Sequence, residues 1–375
     1  MSRTSSAENN VLAAIGSGRA RSRRDLAELL GLSPSTVSQH VQSLIAKSLV
    51  EEGEARHSSG GRRARELRLT GGEGVLGMID LGGAHARLGV APRGADLLRT
   101  DEIAVAIADG PRPVLEKAVE ALGRLAGAPL SGVGIALPGP VDVDSRGANS
   151  PARMPGWGGV DVAAMLAEIT GVPAVVENDA NAMALGEHFA RSPRVSGSVT
   201  LKVGTAIGAG VVIDGSVYRG SGGAAGDITH TRVSAAGDLP CSCGNRGCLE
   251  TVASGAALTR ALRAEGYDVS GTPEVVRLVR DADPTAMALA RAAGRHLGEV
   301  LCAVVNFFNP GAIYLGGALS TLEPFVSAFR GQVYEGAHPL MTRDLDISPA
   351  MLGADAILVG ISRQINERLT RELAV

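Results

Sequence analysis

One histidine and three cysteines, His230, Cys241, Cys243 and Cys248, fall within nineteen positions of a 375-residue chain that holds only four cysteines. Thiolate and imidazole ligands at short spacings suit a closed tetrahedral zinc site, and a chain tied at four points must turn tightly there. Gly244 and Gly247 supply the turns. Three unrelated core thiols are the alternative, since free cysteine is often buried. The distance of the remaining cysteine, Cys302, in an apolar stretch argues against it. Asp227 and Glu250 flank the cluster, so a metal knot here also holds carboxylates where a polar ligand could be met.

The length allows two or three domains. Charge is unevenly shared among them. Residues 1–70 carry 11 Lys/Arg against 7 Asp/Glu, while the remainder carries 25 against 32. A basic head on an acidic body suggests that the head alone meets a polyanion. Aromatic residues make up only 3% of the chain, which disfavours stacking platforms for single-stranded nucleic acid. The first ten residues lack the apolar core of a signal peptide. The most apolar stretch, 297–319, is broken by Glu299, Asn306, Asn309 and Pro310, so no membrane span is expected. Metal-bound cysteines fit a reducing cytoplasm better than a disulfide framework.

The head reads as a winged helix-turn-helix over 1–70. Val11, Leu12 and Ile15 mark one apolar stripe, and Leu26, Leu29 and Leu30 mark a second that Gly31 ends. Ser33 suits an N-cap and Pro34 the first helical position after it. The third pattern turns Val37, Val41, Leu44 and Ile45 inward and leaves Ser35, Thr36, Gln39 and His40 to read a major groove. Two short strands follow, 49–52 and 64–69. The Gly60-Gly61-Arg62-Arg63 loop between them can carry arginine to phosphates or a narrow minor groove, with Arg65 beside it. A three-helix bundle with a solvated basic loop is the alternative.

Beyond residue 70 the apolar runs become strands. Val75 to Asp80 leads into Leu81-Gly82-Gly83 and a second run over 86–90. A strand, a glycine turn and a returning strand can place backbone N–H groups against a phosphate, though an ordinary hairpin reads the same way. Residues 199–203, Gly204-Thr205-Ala206-Ile207-Gly208 and 211–213 echo that pattern, as duplicated lobes clamping a nucleotide would. The run 312–318 ends a further strand in Gly316-Gly317. Asn178 and Asp179 close the strand that begins at Val172 and open a helix, so they sit where ligands gather in open α/β sheets. A carboxylate there can act as a general base or simply cap the helix.

Taken together, Asp80-Leu81-Gly82-Gly83, Pro138-Gly139-Pro140-Val141-Asp142, Glu177-Asn178-Asp179-Ala180-Asn181, the stretch 201–250 with its cysteines, and Leu315-Gly316-Gly317 resemble the ROK family of repressors, open reading frames and kinases. The resemblance covers 75–375. It implies an actin-like (ribonuclease-H-like) pair of α/β lobes behind the winged head. The lobes would span 71–197 and 198–354, with a C-terminal helix at about 355–375 returning to the first. Members with such a head are typically sugar-responsive regulators, and those without it ATP-dependent sugar kinases. By the same resemblance, Asn149, Asn178, Asp179, Asp227, His230 and Glu250 fall on sugar-contacting positions, and Asp179 is also the catalytic base if the chain is a kinase. His230, Cys241, Cys243 and Cys248 fall on the zinc ligands, and Pro155-Gly156-Trp157 resembles the loop closing over the sugar. Asp80, Gly82, Gly83, Gly204, Thr205, Gly208, Gly316 and Gly317 fall on the nucleotide side.

Four residues depart from the family pattern. Asp227 replaces a usual Glu and is one methylene shorter, Thr229 replaces a usual Gly, and Ala84 replaces the kinases' Thr. Ala206 replaces a glycine, where a Cβ would obstruct a close approach or strain a backbone of positive φ. The nucleotide side therefore reads as degenerate. The expectation is a dimeric or tetrameric repressor that binds double-stranded operator DNA and senses a sugar held between its lobes, with structural zinc. ATP and Mg²⁺ enter only if the chain is instead an active kinase with an accessory head. A zinc-stabilised interaction protein is the third reading.

Overall fold

In the computed structural model the described residues are 6–16, 18–55, 65–70, 74–142, 147–148, 154–191 and 195–373. They divide into two compact units, 1–179 with 358–375, and 180–357. The first unit contains the head and one α/β lobe, and the second unit is the other lobe.

The head opens with α1 (Ser6–Gly16), α2 (Arg23–Leu30) and α3 (Pro34–Ala46), then β1 (Val50–Ala55) pairs antiparallel with β2 (Arg65–Leu69). Its helix ends are set locally. Ser22 and Ser33 accept the Asp25 and Thr36 amides as N-caps, each worth about 1 kcal/mol. Gly31 closes α2 in the left-handed region, φ 62°. Val11, Leu12, Leu26, Val37, Val41, Leu44 and Leu67 form the core. Leu29 stays exposed, unlike Leu26, because a helix of two turns has room for only a narrow buried stripe.

The first lobe runs β3 (Val75–Leu81), β4 (His85–Pro92), β5 (Arg99–Ala104), α4 (Pro111–Ala126), β6 (Leu130–Leu137), α5 (Val162–Thr170) and β7 (Ala174–Asn178). Its sheet has the order β5-β4-β3-β6-β7, antiparallel on the hairpin side and parallel from β3 to β7. Val114, Leu115, Ala118 and Leu122 of α4 and Val162 and Leu166 of α5 join the buried strand residues in one core.

The second lobe comprises α6 (Asp179–Ala190), β8 (Gly197–Val203), β9 (Ile207–Ile213), β10 (Ser216–Val217), α7 (Glu250–Ala253), α8 (Gly255–Ala264), α9 (Thr272–Arg280), α10 (Pro284–Phe308), β11 (Ala312–Gly316), α11 (Glu323–Gly336), α12 (Pro339–Thr342) and β12 (Asp346–Pro349). Its sheet order is β10-β9-β8-β11-β12. The compact unit starts at Ala180 rather than Ser198, because α6 packs on β9. A Cβ at Gly210 would lie 2.5 Å from the Ala180 carbonyl oxygen.

The last helix, α13 (Ala356–Leu373), is grouped with the first unit from Leu358 onward. It lies on β6 where Gly132 and Gly134 bare the strand; a Cβ at Gly134 would sit 2.5 Å from Ile361. Among the described residues no helix is long and apolar enough to cross a membrane.

Candidate functional site

The metal cradle is built by the segment between β10 and α7. A single 3-10 turn (Ile228–His230) presents His230, and the chain returns through an antiparallel bridge from Arg232 to Cys248. Between them, Cys241 N–H donates to the Asn245 carbonyl and Gly244 N–H to that of Cys241, folding the knuckle. Gly247 has φ 79°, and a Cβ there would stand 2.7 Å from the Gly237 carbonyl oxygen, so only glycine fits.

One ligand atom from each of His230, Cys241, Cys243 and Cys248 lies within 4.8 Å of all the others. Cys243 and Cys248 sulfurs are 3.7 Å apart, and Cys241 Sγ is 3.4 Å from His230 Nδ1. Two sulfurs bound tetrahedrally at about 2.3 Å from one zinc would be about 3.8 Å apart. The donor set and its spacing fit a metal ion. Burial, reinforced by the neighbouring thiols, pushes the Cys248 thiol up to about 12. A cation must therefore displace that proton on binding.

Beside the cradle, Thr229 is buried and its hydroxyl donates to Glu250 Oε2 at 2.9 Å. The replacement of glycine by threonine thus has a definite effect, since it pins the Glu250 carboxylate. The sequence marked Thr229 as unusual without revealing this bond. Asp227 is exposed at the start of the same turn.

In the first unit, Asn178 ends β7 and Asp179 follows as the first residue of α6. The Asn178 amide donates to the Gly139 carbonyl at 2.8 Å and to Asp179 Oδ1 at 3.1 Å. It therefore couples the Pro138-Gly139 turn to the Asp179 carboxylate. Asn149 lies outside the described residues. Trp157 lies in the segment between β6 and α5, with its side chain turned inward. Its ring is fully buried in the first lobe's core and its indole N–H donates to the Ile107 carbonyl at 2.9 Å. Only Pro155 and Gly156 of that segment are exposed.

Asp80 is half-buried near the end of β3, Gly82 donates its N–H to the His85 carbonyl, and Gly83 and Ala84 are exposed. In the second lobe Gly204 donates to the Ala206 carbonyl, and Gly208 is the second residue of β9. The strain expected at Ala206 is absent. Among the described non-glycine residues positive φ occurs only at Ser48, Asp214, Ala282 and Asn309, because the turn closes without a left-handed residue at 206. The Gly204 and Thr205 carbonyls accept the Gly255 and Ala256 amides, and Ser254 caps Ala257, so the start of α8 is already satisfied. A Cβ at Gly316 would meet Met183 Cε, the far end of a flexible side chain that can turn aside. At Gly317, φ is 90° and the Val203 carbonyl would be 2.6 Å from a Cβ.

On the head, Ser35 and Gln39 are exposed on α3 and Thr36 and His40 half-buried. Ser35 and Thr36 hydroxyls both meet Ser33 Oγ at 2.8 Å, so they support the helix cap as well as facing solvent. Arg65 is exposed on β2 and pairs with Glu52 at 3.3 Å. Arg62 and Arg63 lie outside the described residues.

Known proteins share this construction. The ROK family profile matches residues 76–367, and the MarR family profile residues 5–64. A xylose repressor of Bacillus spizizenii is 30% identical over 92% of this chain and 91% of its own length. The crystal structure of a ROK family transcriptional regulator, a homolog of the E. coli MLC protein, superimposes with a TM-score of 0.79. It covers 98% of this chain and 99% of that one at 23% identity, a likeness of fold. A ROK family glucokinase from Streptomyces griseus, solved with glucose and AMPPNP, is 28% identical with a TM-score of 0.68. It covers 78% of this chain and all of its own.

Proposed function

The chain belongs to the ROK family, and from that premise we propose that it is a DNA-binding transcriptional repressor whose operator affinity is set by a sugar. The observation that carries this reading is coverage. The xylose repressor aligns with 92% of the chain, whereas the glucokinase structure aligns with 78%. The head is thus part of what is shared with a repressor.

In this reading α3 enters a major groove. Gln39, Ser35, Thr36 and His40 choose sequence, while Arg62, Arg63 and Arg65 supply phosphate affinity. The operator is a palindrome read by a homodimer or a dimer of dimers. The sugar is contacted by Asn149, Asn178, Asp179, Asp227, His230 and Glu250, with Asn178 orienting the Asp179 carboxylate and Thr229 that of Glu250. The metal is zinc, chosen by three thiolates and one imidazole. It is structural: the four ligands fix the segment that carries Thr229 and ends at Glu250.

A second reading, an active sugar kinase, is kept by Asp179 and by the glucokinase relative. The nucleotide positions Asp80, Gly82, Gly83, Gly204, Thr205, Gly208, Gly316 and Gly317 would then hold ATP with Mg²⁺. We disfavour it because Ala84 offers no hydroxyl and because Gly317 is accounted for by packing. Phosphoryl transfer depends almost wholly on positioning and charge stabilisation.

Selection of duplexes from a random pool tests the DNA half of the proposal. A palindromic sequence should be enriched. The Arg62→Ala, Arg63→Ala double variant should weaken binding to all duplexes alike and reduce the salt slope by about 1 per lost phosphate contact. A pool that never departs from random, or a salt slope unmoved by the double variant, would overturn it.

A further inference from the structure

A cavity of about 170 Å³ opens within the first unit where the head, the turn between β4 and β5, and α13 come together. That is many times the ~10–15 Å³ a single water needs, and enough for a compound of a few carbons. Arg21, Glu66 and Arg68 line it from the head, Asp96 from the turn, and Arg363 and Asn366 from α13. None of them belongs to the sugar, metal or nucleotide positions above.

Two features indicate what the cavity takes. The first is charge. Three guanidinium groups, those of Arg21, Arg68 and Arg363, line it against the two carboxylates of Glu66 and Asp96. The surplus is cationic, and guanidinium is suited to phosphate and carboxylate. The second is Asn366, only 5% exposed, whose Oδ1 has no hydrogen-bond partner among the described residues. A buried amide oxygen left unpaired is uncommon and calls for a donor. A ligand hydroxyl would supply it.

We propose that this cavity is a second effector site that takes a small hydroxylated anion, a phosphorylated or carboxylated compound of a few carbons. Such a ligand touches the head, the lobe and α13 at once. Gly18 of the head lies directly against Arg363, so these parts are already in contact around the cavity. A ligand that prefers one stance of the head over another shifts the population of that stance by its differential affinity. The regulatory consequence rests on the DNA-binding reading. The binding site itself does not, and its test needs no DNA.

Calorimetry on the full chain provides that test, with glycerol 3-phosphate, glycerate and inorganic phosphate as probes. One hydroxylated anion should bind, at one site per chain and more tightly than inorganic phosphate. Asn366→Leu should weaken it roughly tenfold, as loss of one buried hydrogen bond to a ligand does. Arg68→Gln, on a strand residue whose side chain is 44% exposed, should do the same without emptying a buried position. Metal content should be unchanged in both variants. Absence of heat with all three probes, or affinities unmoved in a folded Arg68→Gln protein, overturns the site. Equal affinity for inorganic phosphate overturns the assignment of Asn366 to a ligand hydroxyl.

Discussion

The two lobes are built on one plan and finished differently. Each sheet has a first strand flanked by an antiparallel hairpin on one side and two parallel strands on the other, β5-β4-β3-β6-β7 in one and β10-β9-β8-β11-β12 in the other. Each clears space for a helix with a glycine, Gly134 for α13 and Gly210 for α6. What differs lies outside the sheets. The first lobe ends its parallel strands in a short polar corner, where Asn178 joins Gly139 to Asp179. The second inserts the long segment between β10 and α7, held by turns and isolated bridges and carrying the four side chains that could hold a metal ion. A shared frame therefore leaves the chemistry to strand ends and insertions, as is general for open α/β sheets.

The sharpest way to break that comparison is to remove the element only one lobe has. Cys243→Ser should abolish metal binding and cost the second lobe several kcal/mol, given that a structural zinc site in isolated fingers is worth about 10–16 kcal/mol. Elemental analysis should find no metal. Hydrogen exchange should show lost protection over 228–250 and unchanged protection in β3 and β6. Retained metal, or equal loosening of both lobes, would mean that the cradle is not a local scaffold.

The shared glycines test the likeness itself. An added methyl at Gly210 meets the Ala180 backbone carbonyl at 2.5 Å, which cannot move without shifting α6. At Gly134 it meets Ile361 and Val175 side chains, which can rotate. Gly210→Ala should therefore destabilise by roughly 3 kcal/mol and Gly134→Ala by about 1–2 kcal/mol, within the range for overpacked cores. Urea unfolding of the two variants measures the gap, and reversed costs would show that the glycines play unequal parts.

Thr229→Val is the mildest change. It keeps the side chain's shape and removes the donor to Glu250, so stability should fall by only about 1 kcal/mol. The sugar response should weaken by more than that loss would suggest, because the carboxylate is no longer held. A fully normal response in thermal-shift titrations with sugar would detach Glu250 from the ligand.

Much of this was legible in the residues. The histidine–cysteine cluster could be read because four rare donor residues crowd a short segment, and the strands at 75, 133, 199 and 312 because fully buried parallel strands are continuous apolar runs. The head was legible through its caps, with Ser33, Pro34 and Gly31 each placed where a helix end needs that residue. Other features had no local signal. Trp157 lies in the first lobe's core because its indole reaches Ile107, fifty positions away. Glu187, fully buried in α6, accepts the amides of Met351 and Leu352 at 2.7 and 2.9 Å. Nothing near Glu187 in sequence announces such partners. The expected strain at Ala206 failed for a related reason, since a replaced glycine matters only if its φ is positive, and φ is set by the turn.

The most direct test of the central claim is a titration of a panel of monosaccharides against the intact protein bound to its selected, fluorescently labelled duplex, with ATP consumption followed in parallel. At least one sugar should change duplex affinity by roughly 5–150-fold, the effect of about 1–3 kcal/mol of coupling, with no appreciable ATP turnover. Duplex affinity indifferent to every sugar, together with phosphorylation at about 1–100 per second, would contradict it and make the protein a kinase carrying an accessory head.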